Sequence, residues 1–102
     1  FNIAPAEIET VAFANPGVRE AVVVGIPSDR WGEPPVVVAV PTAGSALTAM
    51  DLLRDCRARL STYKRPSAAA LVPTLPTTGI GKVDKVRVKK MIESGEIRIT
   101  TP

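Results

Sequence analysis

A chain of 102 residues is the size of one ordinary domain and small for a complete enzyme. Its 13 lysines and arginines against 10 aspartates and glutamates leave a net charge of +3, a mild surplus that favours a phosphate-bearing ligand where the cations converge. Histidine is absent and Cys56 is the one cysteine, which removes Ser-His and Cys-His catalysis, most zinc sites and an internal disulfide, and leaves lysine, arginine and carboxylates as the available chemistry.

The chain opens on Phe1-Asn2-Ile3, which has neither the charged start nor the long apolar core of a signal peptide, and it reads as a part of something longer. Pro5 suits a first helical turn, Glu7 and Glu9 complement its dipole, and Ile8, Val11 and Ala12 form an apolar stripe, so a helix is expected over 5–14. Asn15-Pro16-Gly17 stops it. The β-branched run 21–26 then predicts a strand buried on both faces, and after the polar turn 28–33 the run 36–40 predicts a second strand returning antiparallel beside it. Both runs fall far short of the ~20 residues that cross a bilayer, so a soluble chain is expected; the expected location is cytoplasmic, with peripheral membrane association of a full-length protein left open.

Thr48 followed by Asp51 is a capping-box start, and Ala49, Leu53, Cys56 and Leu60 recur at helical spacing, predicting a second helix to residue 60 with Cys56 packed inward. Arg54 and Arg57 lie on its other face. A third strand is expected over 68–72, then a loop over 73–81, then a last helix over 84–93 with Asp84 as N-cap, Val88, Met91 and Ile92 inward, and Ser94-Gly95 as its end. Tyr63 and Pro66 are expected to fix the corner between the second helix and the third strand. The predicted fold class is α+β: a small central sheet of about three strands, partly antiparallel, covered by helices.

The strongest chemical feature is Leu75-Pro76-Thr77-Thr78-Gly79-Ile80-Gly81-Lys82-Val83-Asp84-Lys85. A glycine directly before a lysine, on a loop stiffened by prolines, lets the backbone approach a ligand while the ammonium supplies a movable positive charge. A phosphate-binding P-loop needs Ser or Thr after the lysine and a glycine five positions before the last glycine; Val83 and Pro76 stand there, so that motif is excluded. The bland alternative is an ordinary turn with a solvated lysine.

At these residues the chain resembles the C-terminal domain of the adenylate-forming superfamily: acyl-CoA synthetases, peptide-synthetase adenylation domains and luciferases. The resemblance runs colinearly through residues 1–9, through Asn15-Pro16-Gly17 to Gly25-Ile26-Pro27, through Trp31-Gly32-Glu33-Pro34-Pro35 and Tyr63-Lys64-Arg65-Pro66, and into the Gly81-Lys82 segment. Thr77 stands where the family usually has Lys or Arg, and Ile80 where Ser or Thr is common.

The resemblance implies that Lys82 is the catalytic lysine of acyl-adenylate formation, reaching into a large N-terminal domain that lies outside this chain, with Thr78, Gly79 and Gly81 shaping the ATP and substrate loop. It implies ATP and Mg2+ held mainly by that domain, a carboxylic acid substrate, and CoA as co-substrate after rotation of this domain. Phe1, Asn2, Trp31, Arg57 and Lys64 are the candidate CoA contacts, Trp31 as a stacking face and the cations toward phosphates. Arg54, Lys89 and Lys90 read as solvated. The segments Gly25-Ile26-Pro27 and Trp31-Gly32-Glu33-Pro34 favour a fatty-acyl-CoA ligase, with a peptide-synthetase adenylation domain or fatty-acyl-AMP ligase as the alternative. A basic, non-catalytic module for nucleic acid or a partner protein is the rival of another class; RNA readout wants clustered exposed aromatics, and Phe1, Phe13, Trp31 and Tyr63 are widely separated. No nucleic-acid partner is therefore expected.

Overall fold

A computed structural model describes residues 5–28 and 32–102. Helix α1 (Pro5–Phe13) leads into strand β1 (Val18–Gly25), which is followed by β2 (Pro35–Pro41), α2 (Ala49–Arg59), a short 3-10 turn (Thr62–Lys64), β3 (Ala68–Leu71) and α3 (Lys85–Glu93). The sheet order is β1-β2-β3. β1 and β2 pair antiparallel with Val22 opposite Val38, and β2 and β3 pair parallel with Val37 opposite Ala69. A parallel pair needs a crossover, and α2 supplies it.

The valine runs divide by parity, as the two-residue period of a strand requires. Val22, Val24, Val36, Val38 and Val40 face one side of the sheet, where they pack with Ala68, Ala70, Leu75, Val88 and Ile97 under α3. Val23, Val37, Ala39 and Ala69 face the other, against Ile8 and Ala12 of α1 and Leu52, Leu53 and Cys56 of α2. An apolar layer on each face is why the strands read as continuous rather than alternating. The expected α+β architecture is the observed one.

The local stops also have identifiable causes. Thr48 accepts the Asp51 N–H and Asp51 accepts the Thr48 N–H, each at 3.1 Å, closing the capping box of α2. That main-chain donor, with the Thr48 hydroxyl, holds the Asp51 carboxyl below its ordinary range. Asp84 caps α3 by accepting the Arg87 N–H at 3.0 Å, and Gly95 leaves the helix with φ +87°.

Two expectations need correction. β1 begins at Val18, ahead of its apolar run: Val18 pairs with Pro41 and Glu20 with Val40 across an irregularity at Arg19, and Arg19 and Glu20 are exposed at the end of an edge strand. Lys89 is not simply solvated: its ammonium meets the Glu33 carboxylate at 3.1 Å and ties α3 to the β1–β2 turn. At the corner before β3, Pro66 is fully buried, and Tyr63, in the 3-10 turn, is 59% exposed.

Each edge of the sheet carries a contact from outside it. On β1, the outward Val23 N–H donates to the Glu9 carboxylate at 2.8 Å. On β3, Ala69 and Thr100 exchange main-chain hydrogen bonds of 3.0 and 2.7 Å, so the segment after α3 returns along that edge. Among the described residues, no helix is long and apolar enough to cross a membrane.

Candidate functional site

The segment expected as a plain loop after β3 contains a tight hairpin. Thr77 bridges Val83 in antiparallel fashion. The Asp84 N–H donates to the Pro76 carbonyl at 2.8 Å, the Thr78 N–H to Lys82 at 2.7 Å, and the Gly81 N–H back to Thr78 at 3.0 Å. Among the described residues only glycines have positive φ, and Gly81 is one of them at +84° while Gly79 and Ile80 are not. This is a three-residue hairpin loop whose last residue is left-handed, a position that glycine fills without steric cost.

The hairpin explains the direction of Lys82. Side chains alternate along an extended segment. Val83 turns inward and packs against the layer under α3, so Lys82 turns outward and is exposed. Among the described residues its ammonium has no ion-pair partner. Below it, Leu75 is buried and anchors the incoming strand of the hairpin. At the tip, Thr78, Gly79 and Gly81 are exposed, and the Ile80 side chain is 81% exposed. On the flank, a cavity of about 440 Å³ lies between residues 74–77 and α3, lined also by Asp84, Arg87 and Met91. The arrangement is a rigid stalk presenting one cation and one aliphatic side chain, with main-chain groups able to approach a ligand closely.

The other candidate residues are not gathered there. Arg57 is half-buried and donates to the Pro66 carbonyl at 3.1 Å, bracing the turn into β3. It also lines a cavity of about 280 Å³ with Met50, Leu53, Arg54 and Pro102. Lys64 pairs with Glu7 of α1 at 3.0 Å and lies 5.9 Å from the Tyr63 ring centroid. The Glu7 carboxylate raises the Lys64 pKa. Phe1, Asn2 and Trp31 lie outside the described residues. Cys56 is fully buried, and desolvation pushes its thiol up to about 11, which makes it packing rather than a nucleophile.

Sequence reasoning missed three long-range pairs, Glu7 with Lys64 and Glu9 with Lys85, each at 3.0 Å, and Glu33 with Lys89 at 3.1 Å. Glu9 already had a local explanation in the helix dipole, and nothing in the spacing connects residue 9 to residue 85. Among the described residues there is no group of three or more His, Cys, Asp or Glu arranged to hold a metal ion.

The model of the AMP-binding enzyme C-terminal domain matches residues 7–82. The chain belongs to that family. It is 43% identical over 89 residues to a feruloyl-CoA synthase of an Amycolatopsis species, a match covering 87% of this chain and 18% of the relative. It is 40% identical over 91 residues to the indoleacetate–CoA ligase of Aromatoleum aromaticum, covering 89% and 18%. Among solved structures, apo MatB from Rhodopseudomonas palustris superposes with a TM-score of 0.85 at 32% identity, over 92% of this chain and 19% of that one. The chain thus spans about a fifth of the length of these relatives.

Proposed function

We propose that this chain is the mobile C-terminal domain of an AMP-forming acid–thiol ligase, and that Lys82 serves its first half-reaction. A carboxylate oxygen attacks the α-phosphorus of ATP, the acyl-AMP mixed anhydride forms and pyrophosphate leaves. The attack brings two anions together. An ammonium fixed beside them before the reaction stabilises the transition-state charge more than it would in water. The observation that supports this role is the outward Lys82, free of any ion pair among the described residues, on a hairpin whose backbone is locked by its own hydrogen bonds.

ATP and Mg2+ belong, in this reading, to a larger domain. The hairpin offers an ammonium, hydroxyls and main-chain groups, a donor set that does not fit Mg2+, which prefers carboxylate and phosphate oxygens. The isolated domain is therefore inactive. In the second half-reaction the domain rotates, the CoA thiolate attacks the acyl carbonyl and AMP leaves; residues 1–3, Trp31, Arg57 and Lys64 are the proposed CoA face. Arg57 and Lys64 reach a phosphate there only by sharing or leaving Pro66 and Glu7. The acid is set by the larger domain. The 25–27 and 31–34 segments suggest a fatty acid, while relatives named for ferulate and indoleacetate favour an aromatic one, and we place the enzyme in the cytoplasm.

The test is Lys82→Ala in the full-length protein. Pyrophosphate release should fall by about 10²-fold or more, the scale of losing one preorganised contact, while CoA-thioester formation from supplied acyl-AMP persists. Unchanged pyrophosphate release would make Lys82 a solvated turn residue and end the proposal.

A further inference from the structure

α1 and α3 lie on opposite faces of the sheet, yet one carboxylate oxygen joins them. Glu9 Oε2 accepts the Val23 N–H at 2.8 Å on the open edge of β1 and meets the Lys85 ammonium of α3 at 3.0 Å. The Glu9 side chain is 27% exposed and that of Lys85 47%. It is a clasp that passes round the edge strand.

Its far end lies at the root of the hairpin. Lys85 is the first residue of α3, Asp84 before it caps the helix and closes the hairpin through the Pro76 carbonyl, and Lys82 stands three residues upstream. At the tip, a Cβ on Gly79 or Gly81 would meet nothing within 4 Å and residues 77–82 are all exposed, so the tip stands clear of the core. The direction of the hairpin is decided at its base, and a tilt there is carried outward to the ammonium.

We propose that Glu9 is a positioning residue for Lys82: through Lys85 it pins the first turn of α3 to the α1–β1 framework and so sets the angle at which the hairpin presents its lysine. The inference rests on the proposed role of Lys82 in acyl-AMP formation. A clasp of this kind acts on the half-reaction that uses the hairpin and leaves the other untouched. Glu9→Gln removes the charge and keeps an oxygen for the Val23 N–H, and Lys85→Gln breaks the pair from the other side.

The experiment measures both half-reactions in the full-length enzyme: pyrophosphate release, and CoA-thioester formation from synthetic acyl-AMP. A partly exposed pair contributes little, so each single variant should slow the first step by about two- to fivefold. The second step should keep its wild-type rate. The double variant should be no slower than either single one, since both remove the same contact, and Lys85→Arg, which can still pair, should behave as wild type. Equal loss in both half-reactions, additive losses in the double variant, or no loss at all would each overturn the positioning role. Lys82→Ala run alongside separates the two ideas: if it leaves pyrophosphate release intact, the role of Lys82 fails and this one with it, whereas a crippling Lys82→Ala with a silent Glu9→Gln refutes the clasp alone.

Discussion

Replacing Gly81 by alanine isolates backbone strain from packing. A Cβ at that position meets nothing within 4 Å, so the whole effect arises from φ +84°. Holding an L-residue in that region costs roughly 1–2 kcal/mol. The tip is closed by two main-chain hydrogen bonds of 2.7 and 3.0 Å, and each such bond contributes about 0.5–1.5 kcal/mol net. Strain and restraint are comparable, so the tip should open in a larger fraction of molecules while the core stays intact. A penalty of this size changes that local equilibrium by about 5–30-fold. Amide exchange at positions 78 and 81 should accelerate by that factor, with Val37 and Val38 unaffected. In the full-length enzyme pyrophosphate release should drop, and Gly81→Asn should recover part of it because asparagine tolerates the left-handed region. The reasoning fails if exchange accelerates equally at Val37 and Val38, or if Asn and Ala behave alike.

Two further outcomes concern the scaffold. Thr48→Ala removes the acceptor of the Asp51 N–H and should lower stability by about 1 kcal/mol in denaturant titration; a difference within error would show that the first turn of α2 is held by packing alone. Cys56, raised from an ordinary 9.0 to about 11, keeps its proton in the folded state over a range where the unfolded chain releases it. Stability should therefore decline as pH rises from about 9 to about 11 and level off beyond, and the decline should be shallower in Cys56→Ala. Matching alkaline limbs in the two proteins would contradict this.

What the sequence disclosed depended on how far each signal had to travel. The capping box at Thr48, the N-cap at Asp84 and the doubly buried valine runs depend on residues a few positions apart, and their patterns could be read directly. The hairpin over 77–83 was legible only as glycine and proline punctuation, because its closing hydrogen bonds involve main-chain atoms common to every residue. Arg19 and Glu20 concealed the start of β1, since polar residues on an exposed strand end look like a turn. The prominence of Lys82 could be read from its preceding glycine, but its outward direction required Val83 to be placed inward. Glu9 with Lys85 and Glu33 with Lys89 were invisible, as an ion pair between distant segments leaves no periodicity.

A three-stranded sheet has two borders along which a foreign strand could add, and an unprotected border invites association with other chains. Here β3 is built largely of alanines, Ala68, Ala69 and Ala70, whose side chains would do little to repel a newcomer. The returning segment occupies that border through Thr100, while a carboxylate takes the outward amide of Val23 on the opposite one. The sheet is thus discouraged from growing at either side. In the proposed cycle the domain separates from a larger surface and meets it again in another orientation, which requires adhesive chemistry restricted to chosen points; guarded borders leave the exposed hairpin as one such point.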